Sequence, residues 1–139
     1  MGTFRHRIDV GDPQGARFET VEALVDTGAS YSVVPTPLLQ RLGVTAHDRV
    51  VFFLADGRQI ERDVGQTWVR IDGRSVITLV VFGDEGSDPL LGAYTLEGLR
   101  LGVDPANQTL VRTPGLLMSV HGKEGSCRPS GQTAARLGA

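Results

Sequence analysis

Cysteine, aromatic side chains and long apolar runs are all scarce in this chain. Cys127 is the only cysteine among 139 residues, so no disulfide can form within one chain, which fits a reducing compartment. The apolar runs, such as residues 79–82, are far too short to span a bilayer, and the first residues lack the apolar centre of a secretory signal. We therefore expect a cytoplasmic protein that makes no membrane contact.

Neither sign of charge dominates the sequence. Lys and Arg number 14 against 16 Asp and Glu, and the arginines are scattered among acids, so no basic stripe with interleaved aromatics predicts nucleic-acid binding. The three histidines, His6, His47 and His121, lie far apart and lack the spacing of metal ligands. We expect no nucleic acid, no metal ion and no cofactor.

The most informative segment runs from Ala23 to Val34. An apolar run at residues 23–25 leads into Asp26-Thr27-Gly28, and a second apolar pair follows at residues 33–34. A carboxylate suited to acid/base chemistry must be partly dehydrated yet held by donors, and a glycine lets the backbone turn its N–H groups toward the carboxylate oxygens. The same residues also fit an ordinary strand followed by an Asx turn.

Two further segments distinguish these alternatives. Residues 52–60 place strand-like arms around Asp56-Gly57, which is a typical hairpin signal. Residues 88–92 contain an apolar pair that ends at a glycine, and a short helical pattern follows at residues 93–99. An isolated Asx turn explains neither segment.

In order and spacing, the three segments resemble the retropepsin-like aspartic proteases, a single-domain family of viral type with bacterial and cellular members. The resemblance covers roughly residues 4 to 112. It implies a mainly β fold, a single-lobe closed β-barrel with one or two short helices. We assign the protease domain to residues 1–113 and a C-terminal extension to residues 114–139, which we expect to be flexible from about residue 122 because Gly, Ser, Thr and Ala dominate it.

The resemblance also implies a role for each matching residue. Asp26 becomes the catalytic carboxylate, the Thr27 hydroxyl ties two active-site loops together, and Gly28 donates its backbone N–H to the carboxylates. The hairpin at residues 50–64 becomes a flap that closes over substrate, and a crossing strand packs beneath the catalytic loop at Leu90, Leu91 and Gly92. The residues implied in substrate binding are Ala29, Ser30, Val33, Leu54, Ala55, Asp56, Gly57 and Ile60.

Two positions depart from the viral pattern. Viral members usually carry an arginine directly after the glycine of the crossing strand, whereas Ala93 stands here, so we expect no ion-pair network from that position. The flap tip carries Asp56-Gly57 in place of a glycine-rich apolar tip. Bacterial and cellular relatives therefore fit the chain better than viral ones.

Peptide hydrolysis by this chemistry needs two carboxylates that share one proton. The chain has one Asp-Thr-Gly and is too short for two equivalent lobes, so an identical subunit across a two-fold axis is the simplest source of the second carboxylate. The predicted function is a homodimeric aspartic endopeptidase that acts on a peptide or protein. The alternatives are a non-catalytic peptide-binding or dimerisation module on the same scaffold and a structural β-barrel of unrelated function.

Local patterns predict several elements outside the motifs. Thr36, Pro37 and Gly43 predict a short helix with a threonine cap, a proline at the first helical position and a glycine stop. Residues 59–64 and 67–71 are predicted as separate strands, and Asp72-Gly73 as the turn of a hairpin. Residues 116–120 could add a strand or a dimer contact.

Overall fold

In the computed structural model, residues 3–115 are described, and they form nine strands and two short helices. The elements are β1 (Phe4–Gly11), β2 (Phe18–Val25), β3 (Ser32–Pro35), α1 (Thr36–Arg41), β4 (Asp48–Phe53), β5 (Gln59–Ile71), β6 (Arg74–Gly83), β7 (Leu90–Leu91), α2 (Ala93–Gly98), β8 (Leu101–Asp104) and β9 (Thr109–Arg112). No helix among residues 3–115 is long and apolar enough to cross a membrane.

Seven strands form one sheet that closes on itself. They lie side by side in the order β1, β2, β7, β3, β6, β5, β4. Asp9 and Val10 of β1 also pair with Arg70 and Val69 of β5, so the ring returns to its first strand and leaves β4 outside it. Strands β8 and β9 form a separate hairpin. The predicted fold class, mainly β with a closed barrel and short helices, is confirmed.

Alternating apolar residues of the strands fill the barrel. Along β1, Ile8 and Val10 are buried, and residues of β2, β6 and β7 meet them in one cluster. Val10, Ala23, Val80 and Leu91 are fully inaccessible to solvent. Burial of each valine or leucine side chain stabilises the fold by roughly 2 kcal/mol, so this cluster provides the rigid support on which the loops stand.

The predicted break between residues 64 and 67 is wrong, because β5 runs unbroken for 13 residues. Gly65 stays in the ladder opposite Val80, and a Cβ at this position would lie only 2.7 Å from the Thr45 carbonyl oxygen. The glycine therefore marks a close approach of two chain segments and not a strand end. The predicted turn at Asp72-Gly73 is present, with φ values of 52° and 85°.

Helix α1 is present, but the predicted threonine cap is wrong. Pro35 occupies the N-cap position, and no side chain caps the helix. The Thr36 hydroxyl instead donates to the Gly83 carbonyl oxygen at 2.7 Å. Because β3 and β6 are parallel and Pro35 pairs with Gly83, this carbonyl lies beside the threonine and competes with the helix terminus for its hydroxyl.

The boundary at residue 113 stays a prediction. The possible strand or dimer contact at residues 116–120 and the flexible segment from about residue 122 lie outside the described residues.

Candidate active site

Asp26 follows the last residue of β2 and is held by the neighbouring strand. Its backbone N–H donates to the Leu91 carbonyl oxygen at 3.0 Å. The Gly28 N–H donates to Asp26 Oδ1 at 2.9 Å, and the Ala29 N–H donates to the Asp26 carbonyl oxygen at 3.2 Å. The half-buried carboxylate is thereby oriented by a tight turn, in the geometry that the sequence motif predicts.

The crossing strand β7 lies between β2 and β3, beneath this turn. Leu90 and Leu91 pair in parallel with Leu24 and Val25, and Leu90 also faces Val33 of β3. Strands β2, β3 and β7 therefore meet through backbone hydrogen bonds, although more than 60 residues separate β2 from β7 in sequence.

Gly92 allows the chain to pass against the Asp26 turn. A Cβ on Gly92 would lie 2.6 Å from the Tyr31 carbonyl carbon and oxygen and 3.0 Å from the Ala29 carbonyl oxygen. The next two backbone N–H groups, of Ala93 and Tyr94, donate to the carbonyl oxygens of Ala29 and Ser30 at 2.8 and 3.0 Å. The start of α2 thus fixes the backbone of residues 29–30 directly.

A buried hydroxyl cluster that the sequence analysis missed supports the same region. The Thr95 hydroxyl lies 2.6 Å from the Ser32 hydroxyl and 2.9 Å from the Thr78 hydroxyl, and the Ser32 oxygen also accepts the Gly92 N–H at 3.0 Å. Ser32 and Thr78 occupy inward positions of otherwise apolar strands. This interruption of the apolar pattern is the signal in the sequence from which Ser32 and Thr78 could have been identified.

We expect Thr95→Val to weaken the fold through this cluster. The change keeps the side-chain volume but removes the partner of the buried Thr78 hydroxyl and leaves the Ser32 oxygen with the Gly92 N–H alone, which costs about 1–3 kcal/mol. Urea unfolding followed by circular dichroism measures the loss. Thr109→Val, at an exposed position of β9, is the matched control and should leave the unfolding free energy nearly unchanged. Equal stability of both variants would contradict a structural role of the cluster.

A cavity of about 540 Å³ opens beside Asp26, and we call it the Asp26 cavity. Its wall consists of Thr3, Phe4, Val25, Asp26, Thr27, Gly28, Val103 and Pro105. Asp26 is the only titratable side chain in this set. Thr27 is exposed here, so its hydroxyl is accessible at the mouth of the cavity.

A second cavity of about 480 Å³, the flap groove, lies between the Asp26 turn and the flap. It is lined by Gly28, Ala29, Ser30, Tyr31, Val33, Phe52, Phe53, Leu54, Ile60, Arg62, Val81, Gly83, Asp84 and Ser87. Gly28 belongs to both cavities, so the groove leads to the Asp26 turn.

Of the residues predicted to bind substrate, the structure brings Ala29, Ser30, Val33, Leu54 and Ile60 into the flap groove. It does not place Ala55, Asp56 or Gly57 in the groove lining, because these residues form the exposed flap tip. Their part in substrate binding stays a prediction.

Aromatic residues of the groove were missed from the sequence. The Tyr31 ring meets the rings of Phe52 and Tyr94 edge-on, with centroids 5.4 and 5.3 Å away. Tyr31 follows the Asp26 turn and Phe52 lies in a predicted flap arm, so their positions beside the two motifs were the signal in the sequence. The contact between Tyr31 and Phe52 joins the flap to the Asp26 turn.

The flap tip is a hydrogen-bonded turn. The Leu54 N–H donates to the Arg58 carbonyl oxygen at 2.8 Å, and Gly57 has a φ of 89°. The Arg58 backbone N–H and guanidinium both donate to Asp56, and these hydrogen bonds, the backbone one first, lower the pKa of the Asp56 carboxyl. The tip therefore carries an ionised aspartate at neutral pH.

Three solved structures are similar to this chain. The Simian Foamy Virus (mac) protease, a solution structure, is 18% identical, covers 67% of this chain and 91% of its own, and gives a TM-score of 0.49. The EIAV protease complexed with an inhibitor is 20% identical, with coverage of 69% and 86% and a TM-score of 0.49. A retropepsin-like aspartic protease from Rickettsia conorii is 20% identical, with coverage of 75% and 89% and a TM-score of 0.47.

No curated protein matches the sequence. The family model of aspartyl proteases matches residues 8–95, a span that contains the Asp26 turn, the flap and the crossing strand. This match confirms the resemblance inferred from the motifs, and the chain belongs to the aspartyl protease family.

Proposed function

We propose that this protein is a homodimeric aspartic endopeptidase with one Asp26 from each subunit in its catalytic dyad. The observation that carries the proposal is the wall of the Asp26 cavity. It presents a single carboxylate, which is held at one oxygen by the Gly28 N–H, and among residues 3–115 no other titratable side chain belongs to the lining. The simplest source of a second carboxylate at this mouth is another copy of the chain.

The chemistry explains why the second carboxylate is needed. One carboxylate takes a proton from the attacking water while the protonated partner donates to the carbonyl oxygen of the peptide bond. Two carboxylates about 3 Å apart cannot both ionise, so the pair holds one proton in common. A two-fold axis at the mouth of the Asp26 cavity brings two copies of Asp26 together.

The flap groove provides a place for the substrate. An extended peptide lies between Val33 on the barrel side and Leu54 and Ile60 on the flap side, and its backbone pairs with flap strands by β-strand addition. The exposed Thr27 hydroxyl then reaches the partner's loop across the axis. The substrate class that fits this groove is a peptide or protein segment in extended conformation.

A statine-type peptide tests the proposal, because its hydroxyl replaces the attacking water between the two carboxylates. We expect one molecule to bind per two chains and to stabilise the dimer by about 2.7 kcal/mol at a hundredfold excess over Kd. Calorimetric titration measures the stoichiometry, and sedimentation velocity measures the assembly.

The matched control is the same peptide without the statine hydroxyl, which should bind far more weakly. One statine peptide bound per chain would support a peptide-binding module instead of a shared dyad. A chain that stays monomeric at high concentration with the statine peptide present would contradict the dimer.

A further inference from the structure

An arginine interrupts the apolar inner face of the flap. Along β5, Ile60 and Arg62 are half-buried and Val64 is buried, whereas Gln59 and Glu61 are exposed and Asp63 is half-buried. Opposite Arg62 and Ile60 on β4, the half-buried residues are Val50 and Phe52. Arg62 therefore occupies an inward position where the strand pattern favours an apolar side chain, and a cation in such a place needs a partner.

The structure gives the Arg62 guanidinium two partners. Its Nη1 donates to the Glu61 carbonyl oxygen at 2.8 Å, and its Nη2 donates to Asp84 Oδ2 at 3.2 Å. Among residues 3–115, Arg62 and Asp84 are the only charged residues in the lining of the flap groove. A guanidinium has five N–H donors, so the cation keeps donor capacity beyond these two hydrogen bonds.

The two charges differ in their contact with water. The Arg62 side chain is 32% exposed and the Asp84 side chain is 74% exposed. Asp84 begins the loop after β6, in which the Ser87 hydroxyl and N–H both donate to the Asp84 carbonyl oxygen. The backbone of Asp84 is thus fixed, while its carboxylate pairs with Arg62 at a solvated edge, where ion pairs contribute little.

We propose that Arg62 is a specificity-determining residue that selects a glutamate or aspartate side chain in the substrate. This inference rests on the proposed function and names its substrate class, an extended apolar peptide with one acidic residue at the position that reaches Arg62. The incoming carboxylate replaces Asp84, which returns to water.

The exchange is favourable because the two carboxylates meet the cation in different surroundings. A bound peptide covers the groove and excludes water, so the pair between its carboxylate and Arg62 is screened less than the pair with Asp84. The planar guanidinium also accommodates a carboxylate with two parallel hydrogen bonds. A lysine at the same position brings a second cation beside Arg62 and is repelled.

The test uses peptide binding, so that it does not depend on cleavage. In the Asp26→Asn protein, fluorescence polarisation compares apolar octapeptides that carry glutamate, glutamine or lysine at each position in turn. We expect glutamate to bind about tenfold more tightly than glutamine at one position. Adding Arg62→Gln should abolish this preference, and Arg62→Lys should retain part of it.

Arg49→Gln is the matched control, because Arg49 pairs with Glu61 and Asp63 outside the groove lining and should not affect the preference. Asp84→Asn removes the competing carboxylate and should strengthen glutamate binding, which decides the question even if Arg62→Gln fails to fold. Equal binding of glutamate and glutamine, a lysine preference, or weaker glutamate binding in Asp84→Asn would overturn the inference.

Cleavage by the unsubstituted protein is measured in parallel and separates the two proposals. Glutamate-selective binding without any cleavage would count against the endopeptidase and leave the selectivity intact. Cleavage that ignores glutamate at every position would leave the endopeptidase intact and overturn the selectivity. A protein that binds and cleaves none of the peptides overturns both.

Discussion

Asp26→Asn should lower peptide cleavage by at least about a thousandfold while the fold and the dimer persist. The carboxamide matches the carboxylate in shape but cannot share a proton with its counterpart. Its oxygen can still accept the Gly28 N–H, which Asp26 accepts at 2.9 Å. Cleavage rates measure the loss, and circular dichroism with sedimentation velocity verifies the fold and assembly.

The matched control is Asp72→Asn. Asp72 is exposed in the β5–β6 turn at a φ of 52°, a conformation that asparagine readily adopts. Cleavage by this variant should stay within a few-fold of the unsubstituted rate. If the Asp26→Asn protein cleaved peptides as fast as this control, Asp26 would have no catalytic role.

An experiment with mixed subunits distinguishes a dyad shared between two chains from an active site within one chain. A tenfold excess of Asp26→Asn chains leaves only about a tenth of the unsubstituted chains paired with one another after random exchange. Activity per unsubstituted chain should fall accordingly. Unchanged activity after complete exchange would mean that one chain carries a whole site.

Gly92→Ala should destabilise the fold by about 3 kcal/mol or more. Gly92 has an extended backbone that any residue adopts, so the cost arises from space alone. The new Cβ would lie 2.6 Å from backbone atoms of Tyr31, and backbone atoms in a hydrogen-bonded turn cannot move aside cheaply. Urea unfolding measures the loss.

Gly115→Ala is the matched control, because its Cβ would meet only the Arg100 side chain at 3.7 Å, an ordinary contact. Any Gly92→Ala protein that still folds should also cleave more slowly, since the clash displaces residues 29–31 beside Asp26. Full stability and full activity of Gly92→Ala would show that this close approach is not needed.

The elements that the sequence predicted correctly depend on neighbours in the chain. The short helix that begins at Thr36 and the turn at Asp72-Gly73 both follow from local pattern, and both are present. The turn at Asp26 likewise depends on three consecutive residues, and the structure places its carboxylate and the Gly28 N–H together.

The elements that sequence reasoning missed depend on segments far apart in the chain. Gly65 looked like a strand end because the nearby Thr45 carbonyl cannot be deduced from local pattern. Thr36 looked like a helix cap because the Gly83 carbonyl arrives only through the parallel pairing of β3 with β6. The hydroxyl cluster around Thr95 joins three segments in the same way.

Because β5 runs unbroken, the second arm of the flap and the barrel wall belong to one strand. In the described part of the chain, residues 59–63 of β5 pair with β4 alone. Val64 pairs with both β4 and β6, and residues 65–71 pair with β6. We therefore expect the flap to bend near Val64, where pairing with β6 begins. The flap arm is thus joined by one continuous strand to the barrel that holds Asp26.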